Sequence, residues 1–254
     1  MRRLLLTLPT PAENLALDEA LLDLAEEEGS QAEFVRVWES PDPVVVVGRA
    51  SRVNQEVDLK ACDARGIPVL RRSSGGAAIV AGPGCLMYAV VLSYALRPES
   101  QDIRRAHAYV LGRIAEALNS RLAGRGRIIV AGTSDLALAV TGVDIPRKFS
   151  GNSLRAKRTH LLYHGTLLYD FDLSLIATCL RMPPRQPEYR DRREHRQFVT
   201  NLPLGLETLT EAVLAAWPTV VDVAAWPDQL VKALVDERFS QENWNLGYGE
   251  AREP

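Results

Sequence analysis

The segment Arg71-Arg72-Ser73-Ser74-Gly75-Gly76-Ala77-Ala78, written RRSSGGAA, follows the short apolar run Ile67-Pro68-Val69-Leu70, and the reading of the fold turns on it. Paired arginines, hydroxyls and glycines directly after a strand-like run describe a backbone that a phosphate or carboxylate can approach closely. Without Cβ atoms the glycines admit positive φ, main-chain N–H groups become anion donors, and an arginine offers a two-pronged fork. That chemistry suits a nucleotide or an acyl phosphate. An ordinary turn between strands uses the same Gly-Gly pair, so the flanking sequence has to decide.

Behind the motif, residues 77–80 and 86–94 (LMYAVVLSY) are apolar runs joined by Ala81-Gly82-Pro83-Gly84, which places the glycines between strands. A dinucleotide fold or a P-loop needs a glycine turn that opens a helix, and no GxxxxGK[ST] is present. Ahead of it, a short helix is predicted over 58–65, ended by Gly66. Before that, residues 34–38 and 44–49 read as a strand pair across Ser40-Pro41-Asp42-Pro43. The amino terminus reads as a first strand and then a helix. Thr10 is the N-cap, Pro11 the first helical residue, and Glu13 closes a capping box.

Beyond residue 100, Ile103, Ala106, Val110, Leu111, Ile114, Leu118 and Leu122 recur at helical spacing, with His107 read as a half-buried or surface residue of that helix. Strands are expected at 127–130 and 135–140. A turn at Thr141-Gly142-Val143-Asp144 then leads to Arg147-Lys148-Phe149-Ser150-Gly151-Asn152, and a further strand pair is expected within 160–170. Residues 181–196 are rich in Pro and Arg but balanced by Glu188, Asp191 and Glu194, and read as a solvated loop. Two helices near 207–217 and 227–239 close the chain. Strands in the middle with helices around them give an α+β fold with a mixed or antiparallel sheet.

A chain of 254 residues with a 46% apolar and 24% charged composition is an ordinary globular one, long enough for one sizeable core. Its formal charge of −2 gives no reason to expect nucleic acid or a membrane surface as partner. The opening MRRLLLTLP is too short in its apolar run for a signal core or a span. Three widely spaced cysteines, Cys62, Cys85 and Cys179, indicate neither a disulfide framework nor a zinc site, and a cytoplasmic protein is the expectation.

Taken together, several stretches resemble the lipoate–protein ligase A family within the biotin/lipoate ligase and octanoyltransferase superfamily. They are Asn14-Leu15-Ala16-Leu17-Asp18-Glu19, Val46-Val47-Gly48-Arg49 with Asn54 and Glu56, and the glycine motif itself. Ser134-Asp135-Leu136, Arg147-Lys148-Phe149-Ser150-Gly151-Asn152, His164-Gly165-Thr166-Leu167-Leu168, Val199-Thr200-Asn201-Leu202 and Asn243-Trp244-Asn245-Leu246-Gly247 complete the series. The resemblance runs in order over nearly the whole chain. It implies a single catalytic domain over 1–254, built like class II aminoacyl-tRNA synthetases and biotin ligases, without the accessory domain of two-domain ligases. A small accessory subunit would then act in trans.

The resemblance further implies that Lys148 is the catalytic lysine, a compact charge between an α-phosphate and an acyl oxygen. Arg72, Ala77, Ala78, Ile79, Val80 and Asp135 would hold ATP, with Asp135 a Mg²⁺ or ribose contact. Arg71, Ser74, Gly75, Gly76, Gly151, His164, Gly165 and Thr166 would line the acyl site, although Arg71 reads equally as the structural partner of a carboxylate. The implied acceptor is a lysine on an E2 lipoyl domain of a 2-oxoacid dehydrogenase or on the glycine-cleavage H protein. Where the family shows a third glycine and then a His-Asp pair, this chain has Ala77 and then Ala81-Gly82. Two further readings stay open. An acyltransferase would take octanoate or lipoate from a carrier protein through a cysteine, for which Cys85 is the one candidate. A binding protein would keep the pocket without turnover.

Overall fold

The computed structural model describes residues 1–143, 145–183, 185–217, 221–223 and 225–247. The chain opens with β1 (Arg2–Leu5), α1 (Pro11–Glu28), β2 (Phe34–Glu39), β3 (Val44–Val47), α2 (Val53–Glu56), α3 (Leu59–Asp63), β4 (Val69–Arg71), β5 (Ile79–Ala81) and β6 (Cys85–Ser93). Then follow α4 (Ile103–Asn119), β7 (Arg127–Ala131), β8 (Asp135–Ala139), β9 (Arg147–Ala156), β10 (His160–Leu168) and α5 (Leu173–Cys179). The last elements are α6 (His195–Phe198), α7 (Leu206–Ala215), β11 (Val221–Asp222), α8 (Asp228–Leu234) and α9 (Glu242–Asn245). Eight strands form one mixed sheet in the order β11-β1-β2-β6-β10-β9-β8-β7, and β4-β3-β5 form a second, smaller one. The α+β fold with a mixed sheet flanked by helices is the one expected.

Strand β6 explains the layering. All nine of its residues are buried. Met87, Ala89 and Val91 join the apolar cluster shared with α1 and the small sheet, whereas Leu86, Tyr88, Val90 and Leu92 join the one under α4 and α7. Side chains alternate across a strand, so a strand covered on both faces must be apolar throughout. That requirement produces the unbroken run LMYAVVL.

Several local expectations need correction. β2 and β3 do not pair: β2 lies between β1 and β6, and β3 is the centre of the small sheet. Two prolines between them supply no N–H to continue a hairpin ladder, and Ser40 Oγ donates to the Asp42 carbonyl at 2.7 Å to turn the chain away. Residues 160–170 hold one long strand, β10, bonded to β6 and β9 on its two sides. Gly165 in its middle marks a close approach and no turn. His107 is fully packed, with Nδ1 2.9 Å from the Tyr163 hydroxyl. The segment 181–196 is largely exposed, as expected of a solvated loop, but it is not featureless. It carries a 3-10 turn at Glu188–Arg190 and leads into α6, with Arg190 and His195 buried. Asp144 of the expected turn at 141–144 lies outside the described residues.

The α1 capping box is formed as read: the Glu13 N–H donates to Thr10 Oγ1, and Glu13 Oε2 accepts from the Thr10 N–H at 2.9 Å. More unusual is the polar stripe α1 turns inward. Asn14, Asp18 and Glu19 are all buried, and the Arg36 guanidinium from β2 bonds the Asn14 carbonyl and Asp18 Oδ1 at 2.8 and 2.5 Å. Burial pushes the Asp18 carboxyl up, but the Arg36 charge and then His164 more than offset it and hold it below the usual carboxylate range. A carboxyl depressed in the native state contributes stability that is present above its unfolded pKa and lost as pH falls through the folded one. The Asp18→Asn protein, with a buried guanidinium left uncompensated, is expected to lose about 3–5 kcal/mol in urea unfolding at pH 7. Its deficit relative to the unsubstituted protein should shrink as the pH drops below about 4. An unchanged urea midpoint would contradict this account of the pair.

Candidate functional site

The site is assembled where the glycine turn of the small sheet meets strands β8 to β10 of the large one. Arg72, directly after β4, turns its guanidinium into the turn itself. It donates to the carbonyls of Val46 (3.1 Å), Gly75 (2.6 Å) and Ala77 (3.0 Å), with Nε 3.1 Å from Ser74 Oγ. Burial lowers its pKa to about 10 against the pull of Glu56, so it stays charged at neutral pH. The turn closes around that charge only because two glycines allow it. Gly76 has φ +87°, and a Cβ on Gly48 would stand 2.0 Å from the Gly76 carbonyl oxygen.

Arg71 points elsewhere. Its side chain is fully buried and donates to the carbonyls of Gly48 (2.7 Å), Ser51 (2.9 Å) and Trp244 (2.8 Å). The Trp244 indole returns a bond to the Arg71 carbonyl at 2.9 Å. Expected against the acyl group, Arg71 instead fastens the β3–α2 turn and the C-terminal α9 to the back of the motif.

Two adjoining cavities open in front of the turn. The larger, about 420 Å³, is bounded by Leu15, Val46 and Met87 on its apolar side and by Arg72, Gly76, Asp135, Asn152, His164 and Gly165. The smaller, about 140 Å³, is walled by Val80, Phe149, Leu168, Ile176 and Phe198 with Glu56. Ala77, Ala78, Ile79, Lys148, Gly151 and Thr166 border both. Of the residues expected at the site, Arg71, Ser74 and Gly75 border neither. Ser74 Oγ stands 2.5 Å behind His164 Nε2, and the Gly75 carbonyl accepts from Arg72 and from Ser153 Oγ at 2.7 Å.

Lys148 stands at the junction. Its ammonium is 2.7 Å from Asp135 Oδ1, and the other carboxylate oxygen accepts from the Tyr189 hydroxyl at 2.8 Å. Burial and then the Asp135 charge push the Tyr189 phenol well above its ordinary range, which keeps it a donor. A register shift between Leu136 and Ala137 brings Lys148 opposite Ala137 while Gly151 stays opposite Asp135. Such a bulge re-aims one side chain without breaking the sheet. Gly151 leaves the space: a Cβ there would lie 2.9 Å from the Lys148 ammonium.

Among the described residues, no three His, Cys, Asp or Glu side chains converge as a metal cage. Both Asp135 oxygens are engaged by Lys148 and Tyr189, so the site does not fit a resident ion held by protein alone; Mg²⁺ would belong with the phosphates of a nucleotide. The sequence assigned no role at the site to two of its residues. Glu56 accepts from the Ala78 N–H at 2.6 Å, and Tyr189 lay in a segment that reads as a loop. No thiol borders either cavity. All three cysteines are buried. Burial first, then Glu39, pushes the Cys85 thiol far up, and burial beside Cys179 pushes Cys62 up to about 12.

The family model for the lipoyl protein ligase A/B catalytic domain matches residues 10–216. A protein of Aeropyrum pernix provisionally named lipoate-protein ligase A is 30% identical over 96% of this chain and 92% of its own length. The octanoyltransferase LipM of Geobacillus kaustophilus is 25% identical over 93% of this chain and 94% of its own. Among solved structures, a bi-partite lipoate protein ligase from Thermoplasma acidophilum, described with its E2 lipoyl domain, superposes with a TM-score of 0.82. The match is at 22% identity and spans 100% of this chain and 98% of that one. A lipoate-protein ligase A bound with ATP superposes at 0.78, at 23% identity over 97% of this chain and 98% of that one. At these identities the superpositions speak for the shared fold.

Buried, protonated thiols react slowly with disulfide reagents. The folded protein should therefore give well under one equivalent in an Ellman titration at neutral pH, and all 3 cysteines only in denaturant. Rapid native reaction of one thiol, traced to Cys85, would reopen a thiol route.

Proposed function

Since the chain belongs to the lipoyl protein ligase A/B catalytic-domain family, we propose that it activates lipoate with ATP and passes the lipoyl group to a lysine of a lipoyl domain or glycine-cleavage H protein. The observation that carries this reading is the character of the junction between the two cavities: it offers a fixed ammonium, Lys148, and no thiol. Acyl activation by a nucleotide builds negative charge on the α-phosphate and on the carboxyl oxygen that attacks it. A point charge already oriented by Asp135 stabilises both without reorganising. The apolar wall of Leu15, Val46 and Met87 suits an aliphatic acyl chain, and the main chain at 77–80 suits the nucleotide. Mg²⁺ would enter on the nucleotide's phosphates.

In the second half-reaction the neutral amine of the acceptor lysine attacks the acyl carbonyl of the mixed anhydride. The carbonyl oxygen takes up charge beside Lys148, the C–O bond to AMP breaks, and the amine proton leaves with solvent or phosphate. The alternative is acyl transfer from a carrier protein, favoured by the likeness to LipM octanoyltransferases at 24–27% identity over more than nine-tenths of this chain. Without a thiol in the cleft, such a transfer would have to run directly from thioester to lysine.

Intact-mass analysis of a lipoyl domain or H protein, incubated with this protein, Mg-ATP and lipoate or octanoate, separates the two. Octanoyl-carrier protein serves as the parallel donor. The expected result is an ATP-dependent mass gain, reduced by roughly 10²–10³-fold in Lys148→Ala and unaffected in Cys85→Ser. Gain from the carrier alone would move the activity to transferase, and no gain with any donor, with or without an accessory polypeptide, would contradict both. An accessory polypeptide, if required, should restore the ATP-dependent gain when added.

A further inference from the structure

Beside the Lys148–Asp135 pair, on the wall of the larger cavity and unexplained by the pair, lies a half-buried amide. Asn152 of β9 stands opposite Gly165 of β10, and its side chain crosses that glycine so closely that a Cβ on Gly165 would lie 1.7 Å from Asn152 Oδ1. Oδ1 accepts from the Tyr88 hydroxyl at 2.6 Å, and Nδ2 donates to the Ser134 carbonyl at 2.8 Å and to Ser150 Oγ at 3.0 Å. The orientation of the amide is not arbitrary. A carbonyl can only accept, so the NH₂ must face Ser134, and that leaves the oxygen for Tyr88. Burial pushes the Tyr88 phenol far up, which keeps it a donor.

We propose that Asn152 is a positioning residue for catalysis, gripping the Ser134 carbonyl so that Asp135, and through it Lys148, is held at the junction of the two cavities. Three facts converge on this. First, Ser134 is the residue directly before Asp135, at the tip of the β7–β8 hairpin, where the ladder has ended and no other hydrogen bond to its carbonyl is formed among the described residues. Second, that hairpin is the outer edge of the large sheet, supported by neighbours on one side only. Third, Asn152 is anchored to the centre of the sheet: Tyr88 is on β6, which packs between β2 and β10. The amide thus ties the edge of the sheet, which carries the carboxylate, to a central, fully buried strand. Ser150, which accepts the second N–H, lies on the same strand as Lys148, so a single amide references both members of the ion pair. Gly165 is required because Asn152 occupies the volume above it, which relates the family-like Asn152 and His164-Gly165-Thr166 stretches to one physical cause.

The inference rests on Lys148 being the group that acts on the acyl donor, and it can be separated from the identity of that donor. Hydrogen exchange of residues 133–136 needs no turnover. Protection there should fall in Asn152→Ala and, by less, in Tyr88→Phe, while exchange in α4 stays as it was. Turnover is then measured with whichever donor the unsubstituted protein uses, lipoate with ATP or the octanoyl carrier, so a failure of the ATP-dependent reading leaves this test standing.

In Asn152→Ala, kcat should fall roughly 10–100-fold with KM for the acyl donor changed by less than about threefold. On a Lys148→Ala background, followed by intact mass over long incubations, the same substitution should cost almost nothing further. Tyr88→Phe, isosteric in the core, should fall in the same direction and covers the case in which Asn152→Ala folds poorly. Unchanged exchange at 133–136, a kcat within about twofold in the folded variants, or a loss carried undiminished onto the Lys148→Ala background would each overturn the proposal.

Discussion

A guanidinium taken out of water must be given acceptors, and in this protein the acceptors within reach of Arg72 are main-chain carbonyls. The carbonyls of Val46, Gly75 and Ala77 turn inward to meet it, and the chain between residues 72 and 77 folds around the charge. Leaving such a charge unsatisfied would be costly, so the turn has little freedom. The constraint propagates. Gly76 must take positive φ, Gly48 must leave the Gly76 carbonyl room, and the segment 77–79 is presented along the rim of both cavities. The arginine thereby shapes a surface for a ligand while spending most of its own donors on the fold.

The same logic recurs on the opposite wall. Arg36 lies inside the molecule because Asp18 and the carbonyls of Leu6 and Asn14 receive it. Asp18 in turn lies 3.7 Å from His164 Nδ1, and His164 Nε2 lies 2.5 Å from Ser74. Buried polar contacts therefore connect α1, β2, β10 and the glycine turn around the larger cavity. Fully satisfied networks of this kind rigidify a site more than apolar packing alone. The larger cavity is thus lined on one side by apolar side chains but framed by buried polar contacts.

The geometry of the Lys148–Asp135 pair is set at a sheet edge, where neighbours are fewest. Lys148 reaches Asp135 through a bulge, Asp135 is shared with Tyr189 from the segment after α5, and Asn152 links the hairpin to the sheet interior. A point charge stabilises a transition state only if it does not have to move. Supporting such a charge from three elements compensates for the freedom an edge hairpin would otherwise have.

What was legible in the sequence was what depends on local periodicity and on short-range backbone chemistry. The α1 capping box, the α4 apolar stripe apart from the exposed Ile103, and the strand-to-strand position of the glycine motif read correctly, because each is decided within a few residues. The motifs also marked Lys148, Asp135, Arg72 and His164, which the folded chain gathers around one cleft. Which strands pair was not legible, since Phe34–Glu39 and Val44–Val47 carry the same β-branched pattern and only long-range packing assigns them to different sheets. Nor could the sequence separate Arg71 from Arg72. The two are adjacent and chemically identical, and only the fold sends Arg71, the last residue of β4, to the back of the motif and Arg72, just beyond the strand, into the turn. The roles of Tyr189, Glu56 and Asn152 likewise belong to the tertiary structure, because a hydrogen bond between residues 54 positions apart, as from Tyr189 to Asp135, leaves no trace in either residue's local sequence.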